Sequence, residues 1–132
     1  MEIDVVGESQ LVGYPSQFPS VSMINYETGE PNPRYWVLKL LKDHFGPGDR
    51  LIETSVADAG LSAQAFETRQ GKELLIINKR NRAQTVTLPV VPGKASVSFV
   101  APSTGDHPVA EAVLDSPTLA LQPFEVAVVH WK

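Results

Sequence analysis

The chain has 132 residues, fifteen of them Asp or Glu, only three of them His and none Cys. Any bond-breaking chemistry it carries is therefore carboxylate or hydroxyl chemistry. Sugar hydrolysis, the commonest use of paired carboxylates, needs two carboxyls about 5 to 9 Å apart in a cleft, one giving a proton and the other attacking or activating water. Most of the candidates read otherwise. Glu53, Glu67, Glu73, Glu111 and Glu125 alternate with apolar neighbours, as solvent-facing positions of a half-buried sheet do. Glu8 differs, because it follows the apolar run "EIDVVG" and precedes an aromatic loop. In "GESQLVGYPSQF" (7–18), Glu8, Ser9, Gln10, Tyr14, Gln17 and Phe18 combine planar hydrogen-bonding groups with aromatic faces, a set suited to a pyranose ring. One carboxylate can bind a hydroxyl but cannot be both acid and nucleophile. These residues are candidates for substrate binding, and no catalytic residue is assigned.

Other chemistries fail on spacing. His44, His107 and His130 are scattered, without i,i+4 pairing or a carboxylate at ligand spacing in the sequence, and read as surface or internally satisfied side chains. No metal site and no cofactor is expected. Neither G-x-S-x-G, a P-loop, H-E-x-x-H nor G-x-G-x-x-G occurs, and no serine has a triad context.

A formal charge of −4, with no basic block longer than "NKRNR", gives no field for gripping a phosphate backbone, so nucleic acid is not an expected partner. No apolar run approaches the roughly 20 residues that span a bilayer, so no membrane partner is expected either. The start "MEIDVVGESQ" is acidic and lacks the basic and long apolar regions of a signal peptide. The absence of cysteine does not fix the compartment, and a secreted or periplasmic parent remains compatible with it.

The elements that must position these residues are mostly strands. The exception is "GEPNPRYWVLKLLKDHFGPGD" (29–49), where Asn32 can cap, Pro33 opens the first turn, and Gly46 and Pro47 end a helix of about 33 to 45. At about 100° per residue, Trp36, Val37, Leu38, Leu40, Leu41 and Phe45 sweep roughly 200° of arc. That is twice what a single core-facing stripe needs, so the helix is expected to touch two things at once. From Asp49 onward, "RLIETSVA", "LSAQAFETR", "ELLIINK", "AQTVTLP", "ASVSFVA", "AEAVLD", "TLALQ" and "FEVAVVHW" are divided by turn residues. Short strands so spaced predict a mainly β chain: an antiparallel two-sheet β-sandwich of seven or eight strands with one N-terminal α-helix. A further strand is expected at 2–7 and another at "SVSMI" (20–24). Strand alternation puts Phe66, Leu75, Ile77, Val86, Phe99, Leu119, Val126 and Val128 in the inter-sheet core.

The order of Val5 to Gln10, an aromatic loop, Pro31 to Trp36 at a helix start, and a sandwich closing on the turn Leu121 to Phe124 resembles the C-terminal end of a clan A glycoside hydrolase. The resemblance is to the heparanase-like family 79 and, more loosely, to family 39. It covers nearly the whole chain and implies that residues 1–46 are the last strand, loop and helix of a TIM barrel and residues 47–132 a β-sandwich domain. In those families the acid/base and nucleophile lie on earlier barrel strands, the former usually in an Asn-Glu pair, and no such pair occurs here.

The resemblance thus implies a non-catalytic region supporting a missing barrel. Its expected partner is that catalytic barrel or, failing it, a second copy of the chain in a homodimer. A carbohydrate-binding module and a minimal glycosidase are the alternative readings.

Overall fold

The computed structural model describes residues 11–12, 22–90 and 93–131. Among them one helix and eight strands are seen: α1 (Pro33–His44), β1 (Arg50–Ile52), β2 (Leu61–Glu67), β3 (Lys72–Asn78), β4 (Gln84–Thr87), β5 (Ala95–Val100), β6 (Ala110–Val113), β7 (Thr118–Leu121) and β8 (Val126–Trp131). Six strands form an antiparallel sheet in the order β1-β2-β3-β8-β5-β6, and β4 pairs with β7 in a second sheet. The expected sandwich with one helix is what the chain forms. Each expected strand after Asp49 is present, trimmed at its ends by the turn residues that bound it.

α1 begins as its sequence dictates. The Asn32 side chain accepts hydrogen bonds from the backbone N–H groups of Arg34 (3.0 Å) and Tyr35 (3.3 Å), while Pro33 occupies the first turn, where no donor is needed. Asn32 also donates to the Ser22 carbonyl at 2.6 Å, and its own backbone N–H bonds Met23. The segment around Met23, itself buried, is thereby tied to the helix start. Of the run "SVSMI", Ile24 makes only isolated bridges to Val12 and Pro31 and no strand forms among its described residues. The run 2–7 lies outside the described residues.

The molecule has three layers, with α1 on one face of the six-stranded sheet and the β4-β7 pair on the other. Leu74, Ile76, Val97, Ala127 and Val129 point to the two-stranded sheet and meet Leu88, Leu119 and Leu121 in the main core. Leu40 of α1, 1% exposed, packs on Val100 and Val128 from the other face, with Trp36, Val37, Phe45, Leu75 and Val126 around it.

This corrects the expected core. Val86, Phe99 and Leu119 do lie in the core between the sheets, but Leu75, Val126 and Val128 lie beneath the helix. Phe66 stacks on Phe45 with ring centroids 4.3 Å apart, and Ile77 shares the face of Leu75 by alternation. The cause is plain in β3 and β8. "KELLIIN" and "VAVVHW" are covered on both faces, so they read as nearly continuous apolar runs whose phase carries no sidedness.

The helix surface divides as well. Trp36, Val37 and Leu40 belong to the flank that covers the sheet, whereas Leu38 and Leu41 are half-buried and stand outside that cluster.

Candidate functional site

Glu8, Ser9, Gln10, Tyr14, Gln17 and Phe18, the candidate sugar-binding residues, lie outside the described residues. Of the described carboxylates, Glu73 and Glu125 are buried with structural partners, and a few of the exposed ones line clefts.

Glu73 and Glu125 were expected to face solvent. They are 1% and 3% exposed. Position 73 is the second residue of β3 and points to the helix face, where the strand register sets Glu73 opposite His130 on β8. Its Oε2 lies 3.0 Å from Nδ1 of His44, the last residue of α1, and its Oε1 lies 3.4 Å from Nδ1 of His130. Each oxygen thus has an imidazole beside it, which is how a buried carboxylate avoids the cost of lost hydration. The arrangement ties the helix end to two central strands. Among the described residues no group of His, Asp and Glu is set to hold a metal ion.

Glu125 follows Phe124, an exposed residue held at φ 55°, in the turn before β8. Its Oε2 accepts from the Gln122 backbone N–H at 2.8 Å. Burial pushes this carboxyl above the ordinary 4.5, against the smaller opposing effect of that hydrogen bond.

The same end of the molecule carries Asn78, 1% exposed, which is fully engaged. It donates to the carbonyls of Arg82 and Gln122, both at 2.8 Å, and accepts from the Arg80 N–H and the Gln84 side chain. A buried amide with all four of its bonds made is a tether for two turns and has no capacity left for a ligand.

The clefts hold different residues. One, about 670 Å³, opens between the inner face of β2-β3 and β4, because two strands are too few to cover six. Ala63, Leu74, Ile76, Val86 and Leu88 make it mainly apolar. Its two carboxylates, Glu53 and Asp58, are exposed, and Asp58 is occupied in accepting the Gly60 N–H at 2.6 Å. A second recess, about 650 Å³, lies between the start of α1 and the β5-β6 loop and is lined by Glu30, Trp36, Asp106 and His107 among others. No described cleft is lined by either buried carboxylate. Neither buried carboxylate therefore faces one of these clefts as the proton donor of a glycosidase pair would.

Sequence reasoning missed the Glu73 cluster because its partners come from an element 29 residues upstream and from the final strand. Glu73 looked like any alternating strand glutamate. The one signal was the helix ending in His44, a titratable group where a helix terminus meets a sheet.

No curated protein matches the chain. Among solved structures it resembles a GH30 endoxylanase from Clostridium papyrosolvens C71 (TM-score 0.60, 16% identity), covering 83% of this chain and 30% of that one. It also resembles Xyn30A, a glycoside hydrolase family 30 subfamily 8 xylanase from Clostridium acetobutylicum (TM-score 0.62, 13% identity, the same 83% and 30%). A third is the catalytic domain of GH30 xylanase C from Talaromyces cellulolyticus (TM-score 0.57, 17% identity, 83% and 27%). At such identities these likenesses establish the fold alone, and the chain spans less than a third of the length of each. Residues 58–129, more than half of the chain and all of β2 to β7 with most of β8, match the model of one family. The chain belongs to the family described as D-apionate lactonase, C-terminal immunoglobulin-like domain.

Proposed function

We propose that this chain is the non-catalytic C-terminal β-sandwich of a larger carbohydrate-active enzyme, and that it supports a catalytic barrel through α1. The observation that carries the proposal is the division of the helix surface. One flank, with Trp36, Val37 and Leu40, is committed to the sheet, while Leu38 and Leu41 stand outside that cluster and are half-buried.

The family description, which places the domain at the C-terminus of a lactonase, supports the reading, as do family 30 enzymes more than three times the span of the match. In this account residues 1–46 are the last strand, loop and helix of the barrel and residues 47–132 its supporting sandwich. The resemblance to families 79 and 39 belongs to the same proposal at a finer grain. A second copy of the chain is the alternative cover for Leu38 and Leu41.

Because an acid and a nucleophile each contribute orders of magnitude to rate, a domain with neither should be inert. The isolated chain is expected to show no turnover above background on aryl glycosides or on a sugar lactone. Turnover that disappears with Glu73→Gln or Glu8→Gln would overturn the assignment and make the chain a minimal hydrolase.

A further inference from the structure

We propose that the recess between the start of α1 and the β5-β6 loop is a binding subsite for a neutral, hydroxyl-rich ligand, a saccharide. The inference is independent of the supporting role.

The connection from Val100 to Ala110 is nine residues long, where a hairpin commonly needs two to five. Its excess length is ordered by specific bonds. The Thr104 hydroxyl donates to the Ala101 carbonyl at 2.8 Å and accepts the Ala101 N–H at 3.2 Å, and the His107 N–H bonds the Thr104 carbonyl at 3.0 Å. Gly105 takes φ 53°, a conformation that disfavours other residues. Gln122 clamps Ser103 from the turn between β7 and β8, accepting its N–H and donating to its hydroxyl. Such a loop is a formed wall before any ligand arrives, as small-molecule sites usually are.

Trp36 is fixed against that wall by its indole N–H, which donates to the Asp106 carbonyl at 2.8 Å, and Tyr35 packs edge-on against its ring at 5.1 Å. With its one polar group engaged, Trp36 offers the recess only ring surface, to which the C–H face of a sugar can pack. Glu30 and Asp106 bring carboxylates that accept hydroxyl hydrogens, and His107 and Ser103 can donate or accept.

Among the described residues the lining contains two acidic side chains and no Lys or Arg, so an anionic ligand is disfavoured. A cation could use the same ring and carboxylates. Both carboxylates are exposed, however, where water and salt weaken charge attraction, whereas hydroxyl recognition needs only their positions.

The test is a titration of the 15N-labelled chain with methyl β-D-glucopyranoside to about 50 mM, the range in which weak saccharide sites fill. Saturable shifts are expected at the Trp36 indole N–H and the Gly105 and Asp106 amides, without a shift at the Trp131 indole. Glucuronate should bind more weakly. Glu30→Ala and Asp106→Ala, both exposed, should leave the rest of the spectrum unchanged and each weaken binding about five-fold, the loss of one hydrogen bond. No shift at Trp36, a response to tetramethylammonium alone, or shifts indifferent to both alanine variants would overturn the proposal.

Discussion

Nδ1 of His44, at the end of α1, lies 3.0 Å from Oε2 of Glu73 on β3, and that carboxylate is 1% exposed. With His130 at its other oxygen, Glu73 joins the helix to the two central strands of the larger sheet. Truncating Glu73→Ala removes both contacts and opens a hole, and is expected to cost about 3 kcal/mol in urea unfolding, the usual loss when a buried polar cluster is broken. Glu73→Leu should cost clearly less, because an apolar side chain of similar volume refills the hole that alanine leaves. Equal losses for the two variants would show that the cluster contributes through its polar contacts alone and that refilling the hole recovers nothing.

The two faces of β3 make separate predictions. Ile76, 3% exposed, lies in the inter-sheet core, while Leu75 is half-buried beneath the helix. Ile76→Ala is expected to cost about 2 to 5 kcal/mol and Leu75→Ala less. A larger loss at Leu75 would mean that the helix layer, and not the sheet pair, dominates the core.

This is also where the sequence was least legible. Gly, Pro and Asn turn residues marked every strand after Asp49, and Asn32 with Pro33 marked the helix start, because local chemistry sets those boundaries. The side to which Leu74 or Leu75 points depends on a second sheet and a helix that come together only in the fold, and an unbroken "LLII" gives no alternation to read. Glu125 was misread for a similar reason: its burial is created by long-range contacts of its turn. The recess beside Trp36 joins residues 70 positions apart and left no motif.

Glu125 gives a pH dependence with a defined sign. Burial raises its carboxyl above 4.5 in the folded chain, so the folded state binds a proton more readily than the unfolded state. Its unfavourable contribution is absent below the unfolded value and grows as pH rises through the folded one. Glu125→Gln retains an oxygen for the Gln122 N–H and should raise the melting temperature at pH 7, with the gain shrinking towards pH 4. A gain that grows on acidification would contradict this.

The direct test of the supporting role is the paired effect of Leu38→Lys with Leu41→Lys. In the chain alone these positions are already half-buried but stand outside the helix–sheet cluster, and the double variant should cost only about 1 kcal/mol, less than truncating one core side chain. In a protein that joins the chain to the proposed barrel, the two lysines should lower the melting temperature by several degrees, since about 2 kcal/mol of buried leucine surface would be lost. An intact enzyme that melts unchanged with both lysines in place would show that this flank meets no barrel, and would contradict the account.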